Sequence, residues 1–323
     1  MASVEGVYFQ YLELNGVEIP LARLLEGTYI ECTDLSGPKV ILRLNDMDSG
    51  VRDDGGLSEG SSLKVTLGLT EGDAAILELE FIVISCPYSN KILTINGLLK
   101  EIYDLKQKAV EPKFYVEKPV TDIIEELIPL PANSDPVPLA QTYHLTPDIT
   151  PAQLIRKIER ENNLIVYVSR GELYIHNRAE VMKGGPVMTF EHQNEAADNQ
   201  IRAYTVLRKK DHYQRQMSRQ HVGWSMVDGP IVGKGQGAVV VSSLSTQEQL
   251  DSLPSYTLPL MEFNTGSNDS LAAGLVIKLV MHRFRNDTVI DESLPESVLV
   301  TRVCHHQYSS SHTCLVEVGV PSE

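Results

Sequence analysis

TPAQLIRKIERENNLIVYVSRGELYIHN, residues 150–177, reads as one helix feeding a hairpin. Thr150 can cap the helix. Pro151 suits the first helical position, where its missing N–H would be unpaired anyway, and Gln153 stands where a capping box needs it. Leu154, Ile155 and Ile158 then fall on one face, with Arg156, Lys157, Glu159, Arg160 and Glu161 toward water. Asn162-Asn163 supplies a stop, because Asn tolerates the left-handed conformation that ends helices. Leu164 to Ser169 is rich in branched and aromatic residues, Arg170-Gly171 suits a turn, and Glu172 to Asn177 returns with Leu173 and Ile175 alternating against polar neighbours. The result is an αββ unit with no catalytic residue.

Upstream, Phe114 to Val116 predicts a short strand. Pro119 opens a helix in which Val120, Ile123, Ile124, Leu127 and Ile128 keep the helical period until Pro129 breaks it. A second short strand, Gln141 to Leu145, precedes the opening helix. The apolar triplet Ile123, Ile124, Leu127 recurs as Leu154, Ile155, Ile158, which hints at two β-then-α repeats.

Residues 1–105 read as β-rich, with strands expected at 7–14, 29–33, 39–44, 62–69, 76–85 and 91–95 separated by Gly, Asp, Ser and Pro clusters. After Gly184-Gly185-Pro186 strand patterns resume at 187–190, 201–208 and 238–243. A terminal hairpin of 298–305 and 312–318 turns at Tyr308-Ser309-Ser310. Leu271 to Met281 reads as a helix, on its length and its Asn268-Asp269-Ser270 cap, against Gly274 and the branched Val276, Ile277 and Val280. The fold class expected is α+β, two small antiparallel β-barrel domains (1–105 and 186–323) flanking a small α/β middle domain (106–185).

The 323 residues carry a formal net charge of −15, which makes the chain a poor electrostatic partner for nucleic acid or an anionic membrane. Cys32, Cys86, Cys304 and Cys314 are too few and scattered for a disulfide framework. The N-terminus lacks the basic and apolar regions of a secretory signal, so folding in a reducing cytosol is expected.

The candidates for chemistry each have a plainer explanation. Cys304-His305-His306 with His312 and Cys314 offers soft ligands across the terminal hairpin. Strand alternation sends Cys304 and His306 to one face and His305 to the other, so an ordinary hairpin with buried cysteines is expected and no metal is assigned. Asp46, Asp48, Asp53, Asp54 and Glu59 crowd one loop but lack the third oxygen ligand and the twelfth-position Glu of a calcium loop. Gly233, Gly235 and Gly237 lead into a strand and not into a helix N-terminus, so they lack phosphate-binding geometry. Asp53-Asp54 and Glu125-Glu126 belong to wet surfaces, Arg208-Lys209-Lys210 to a solvated strand end, and Trp224 to a core or an interface. No nucleophile-elbow, zinc-protease or Walker sequence occurs, so neither catalytic residues nor a cofactor are assigned and the chain is not read as an enzyme.

Four passages together resemble the central baseplate hub proteins of contractile-tailed bacteriophages, the group that includes the late control protein and the N-terminal hub of the type VI spike. They are SEGSSLKVTLGL (58–69), FIVISCPYSNKILTINGLL (81–99), the opening helix and hairpin, and VTRVCHHQYSSSHTCLVEVGV (300–320), in the order the family keeps. The resemblance implies a virion protein, assembled in the host cytoplasm, forming a homotrimeric pseudo-sixfold ring between the sixfold tail tube and the threefold spike. Its implied partners are the central spike, the tail tube or its initiator and other baseplate proteins. DNA would pass through the lumen without specific binding, and nothing would insert into a membrane. With no lysozyme or spike module after the second β-region, the piercing tip is expected on a separate chain. The alternatives are a peptidoglycan- or ligand-binding module of a cell-wall-associated protein and, from another class, a wall-degrading enzyme.

Replacing Leu154 and Ile158 together by Asp is predicted to abolish cooperative thermal unfolding followed by circular dichroism. A variant melting like the parent would show that this helical face lies outside the core.

Overall fold

The computed structural model describes residues 8–68, 76–135, 140–207, 210–253, 255–283, 290–291, 294–309 and 311–322. The helix Pro151–Glu161 begins with a complete capping box: Gln153 N–H donates to Thr150 Oγ1, and Thr150 N–H to Gln153 Oε1. It ends at Asn162 with Asn163 in the left-handed region, φ 52°. Ala152, Leu154, Ile155 and Ile158 are buried beneath it. Glu161, expected in water, is buried too, because its carboxylate accepts from Tyr143 Oη at 3.0 Å.

The hairpin follows the expected bounds, Leu164–Ser169 against Glu172–Asn177 with Ser169 opposite Glu172. Arg170 and Gly171 form its two-residue turn at φ 51° and 78°, the mirror-image conformation that matches strand twist. The two β-then-α units come together, since Lys113–Pro119 pairs antiparallel with Ala140–Leu145 and the helices Val120–Leu127 and Pro151–Glu161 share a core.

The first β-region is an antiparallel succession: Leu24–Cys32, Lys39–Asn45, Ile92–Leu99, Ile76–Ser85, Ser62–Gly68 and Phe9–Leu14. Alternation drives it, with Val40, Leu42 and Leu44 turned inward along one strand and Leu93 and Ile95 along its neighbour. In the second β-region the long hairpin Ser297–Tyr308 and Ser311–Pro321 is flanked by Thr257–Thr265 on one side and by Val276–Met281 and Met188–His192 on the other.

The two β-regions are one sheet. Strand Ser297–Tyr308 pairs antiparallel with Leu24–Cys32, from Arg302 opposite Cys32 to Tyr308 opposite Glu26. Where the sequence suggests two separate barrels, the path of strands is open, and no ladder among the described residues closes either set. One apolar core fills the first β-region and the middle helices continuously, and a second fills the later β-region. A small cluster of Ile165, Tyr167, Ala273, Val276 and Leu299 bridges the hairpin to that later region.

One expected helix is absent. Residues 271–281 are not a helix: a turn with Gly274 at φ 87° leads into the strand Val276–Met281, where the branched residues pair on both sides and outweigh the apparent cap. Of the two places expected for it, a core or an interface, Trp224 is excluded from the core by its 62% exposure. It sits on a small three-stranded sheet (Gln220–Ser225, Gly229–Val232, Val239–Val241) whose own core is Leu244, Leu250 and Leu253.

A Cβ on Gly274 would stand 1.7 Å from Tyr167 Oη, so a glycine here lets the middle hairpin touch the later β-region. Gly274→Ala is predicted to cost at least about 2 kcal/mol in urea denaturation, from the left-handed backbone and the clash together. Gly184→Ala, which meets open space, should be neutral. Equal effects at both positions would show that this contact is not tight.

Candidate functional site

Where the three regions meet, a fully buried carboxylate gathers donors from each. Glu31 lies on Leu24–Cys32, opposite Val303 of the long hairpin. Its Oε1 accepts from Tyr29 Oη at 2.7 Å and from Arg170 N–H at 3.0 Å, and its Oε2 from Ser169 Oγ at 2.9 Å and Ala273 N–H at 3.2 Å. Tyr29 belongs to the first β-region, Ser169 and Arg170 to the hairpin turn, and Ala273 to the loop before Val276–Met281. A buried carboxylate is expensive unless its lone pairs are filled, and here donors from all three regions fill them. Burial, with Glu31 beside it, pushes the Tyr29 phenol well above its ordinary range, so the hydroxyl remains a donor.

The network extends into the terminal hairpin through the 267–271 loop. Arg170 Nη2 donates to the Asp269 and Leu271 carbonyls at 2.5 and 2.8 Å, and Leu271 O lies 3.0 Å from His305 Nε2. His305 Nδ1 faces Cys314 Sγ at 3.4 Å, His312 Nε2 faces the same sulfur at 3.9 Å, and His312 Nδ1 pairs with Ser267 Oγ at 2.9 Å. The Tyr8 ring stacks on both imidazoles, with centroids 5.0 and 4.6 Å away. Burial above all, then His312 and Arg170, holds the His305 imidazole down to about 3, and burial pushes the Cys314 thiol up to about 12. Both groups are neutral near pH 7.

Alternation along the hairpin operates as expected for Cys304 and His306, which turn away from the buried His305. The register, with His305 opposite Cys314 and Gln307 opposite His312, places both later residues on the face of His305. The sequence gathers Cys304, His305, His306, His312 and Cys314 on one hairpin without showing which three share a face, and it passes over Glu31. A lone Glu between Ile30 and Cys32 in a strand was the available signal.

Asp46, Asp48, Asp53, Glu125 and Glu126 are held by structural partners. Asp46, fully buried, accepts from Val51 and Arg52 N–H at 2.9 and 3.3 Å and so anchors the short helix Gly50–Asp53. Asp48 takes both Arg23 guanidinium nitrogens at 2.6 and 2.7 Å, a contact that holds its carboxyl well below the usual range, and Asp53 pairs with Arg52 at 2.8 Å. Gly233 and Gly237 pack closely on the backbones of Leu250 and Ser218 and form no anion cradle. Glu126 binds Lys113 and Lys118, while Glu125 accepts from Ser134. Arg208 and Lys209 lie outside the described residues.

No protein-family model matches the chain, and no curated protein matches its sequence. Solved structures do match its fold. The tail protein of Neisseria meningitidis MC58 superposes with a TM-score of 0.68 at 13% identity, over 97% of both chains. The 43 kDa tail protein of prophage MuSo2 from Shewanella oneidensis gives 0.64 at 11% identity, over 96% of this chain and 97% of that one. An Escherichia coli component of the type VI secretion system, described as structurally similar to the T4 bacteriophage tail proteins gp27 and gp5, gives 0.55 at 11% identity, over 97% of this chain and 77% of that one. The chain therefore has the fold of these phage tail and type VI secretion proteins over 96–97% of its length.

Glu31→Ala leaves four donors without their acceptor and is predicted to lower stability by about 3–5 kcal/mol in urea denaturation. Glu31→Gln, which turns an amide N–H₂ toward some of those donors, should lose less. A change below about 1 kcal/mol in Glu31→Ala would remove Glu31 from its place at the junction.

Proposed function

We propose that this chain is a non-enzymatic baseplate hub of a contractile tail. Three copies would form a ring in which the two β-regions of each subunit act as barrel-like quasi-equivalent units. The ring thereby presents six similar positions to the tail tube and three identical subunits to the central spike. The observation that carries this reading is the fold match to phage tail proteins over 96–97% of the chain, which spans both β-regions and the middle unit together.

Physical features agree with a rigid ring component. The two β-regions are joined by a continuous backbone ladder and by the Glu31 network, so they cannot rotate apart without breaking buried hydrogen bonds. The apolar tip around Trp224, with Met226 and Val227 about nine-tenths exposed, suits contact with another subunit or baseplate protein. The net charge of −15 suits a lumen through which DNA slides without holding. Asp46, Asp48, Asp53, Glu125 and Glu126 are engaged by neighbouring groups, which fits an assembly role.

Multi-angle light scattering on the purified chain tests this directly. The expected result is three times the chain mass for the chain alone, or three copies of the chain per complex once the spike partner is added. A monomer that stays monomeric with the spike present would overturn the hub reading.

A further inference from the structure

We propose that His305, His312 and Cys314 form a buried zinc site on the terminal hairpin. The hairpin register brings the three side chains to one face: His305 lies opposite Cys314, and His312 precedes Cys314 by two residues on the same strand. Their ligand atoms all lie within 4.8 Å of one another, and all three residues are 1% exposed. Zinc with bonds of about 2.3 Å to sulfur and about 2.05 Å to nitrogen sets a tetrahedral S···N separation of roughly 3.6 Å. The distances from Cys314 Sγ to His305 Nδ1 and His312 Nε2, 3.4 and 3.9 Å, straddle that value.

The outer atoms are arranged as a metal site requires. A carbonyl only accepts, so His305 Nε2 carries the proton donated to Leu271 O, which leaves the Nδ1 lone pair aimed at the sulfur. The second imidazole turns its Nδ1 to Ser267 Oγ and its Nε2 toward the same sulfur. Each ring is thus oriented by an oxygen on its far nitrogen, the arrangement that fixes tautomer and direction in histidine ligands. Tyr8 stacks over both rings and shields the cluster from water, while the Asn268 carbonyl, 3.6 Å from Cys314 Sγ, offers a fourth donor. Two neutral imidazoles and one thiolate suit zinc better than magnesium or calcium, which take oxygen ligands. On binding, the S–H bond of Cys314 breaks, its electron pair forms the S–Zn bond, and the proton leaves to solvent.

Such a site would be structural. Ser267, Asn268 and Leu271 all belong to the loop that leads to Ala273 and Glu31, so the ion would fix the loop on which the junction depends. The inference stands independently of the hub reading, since it rests on the hairpin, the 267–271 loop and Tyr8 and not on any assembly.

The experiment uses the full chain purified without chelator, its zinc measured by plasma mass spectrometry, then stripped and titrated with cobalt(II). The expected result is near-stoichiometric zinc, a thiolate-to-cobalt charge-transfer band, and a higher thermal midpoint with zinc added. Cys314→Ser should abolish the band and Cys304→Ser, on the opposite face, should keep it. Ser267→Ala should weaken zinc binding about 10- to 100-fold, as loss of an orienting partner does. A wild-type chain with neither zinc nor a cobalt band overturns the proposal even if the variants fail to fold. So does a band that survives Cys314→Ser.

Discussion

The buried carboxylate of Glu31 is the constraint on which the arrangement of the chain depends. Its two oxygens are filled by a tyrosine hydroxyl of its own strand, by the turn of the middle hairpin and by a loop of the later β-region. Taking such a group out of water costs several kcal/mol, and only the simultaneous presence of all these donors offsets that. The three regions therefore lock one another: removing any one leaves the carboxylate buried with unfilled lone pairs, or wet in what should be core. Arg170 strengthens the lock by spending its backbone N–H on Glu31 and its guanidinium on the carbonyls of residues 269 and 271.

That lock explains how two β-regions separated by an entire α/β unit can lie in one sheet. The ladder from Arg302–Cys32 to Tyr308–Glu26 supplies backbone hydrogen bonds, but ladders alone are weakly specified in register. Glu31 lies within this ladder, opposite Val303, and Tyr29 lies opposite His305, so the side-chain network fixes the register that the backbone could otherwise slip through. The proposed ring would need this stiffness, because angular error between the two β-regions of each subunit would accumulate around it.

Much of the fold was legible because local chemistry and tertiary packing agree. Thr150, Pro151, Gln153 and Asn163 mark the ends of their helix with side chains suited to those positions, and Arg170-Gly171 marks its turn. Periodicity located Ile76–Ser85 and the terminal hairpin for the same reason. Residues 271–281 misled because an Asn-Asp-Ser cap pattern is local, while the pairing of Val276–Met281 on both edges is decided by distant strands. The cluster of His305, His312 and Cys314 was half legible: alternation separates His305 from its neighbours, but only the cross-strand register says which later residues join it. Glu31 was legible only as a lone Glu inside a strand, and its partners were not, since they lie 138 to 242 residues away apart from Tyr29. The proposed assembly is a matter of surfaces such as the exposed Trp224 tip, and no periodicity encodes a surface's partner.

The most direct measurement of the central claim is a cryo-EM map of the assembled chain with its spike partner, reconstructed without imposed symmetry. The account predicts a threefold ring in which the β-regions make six similar lobes around an acidic lumen, each subunit's pair bridged at Glu31. A map showing a different symmetry, β-regions splayed apart within a subunit, or a basic lumen would contradict it.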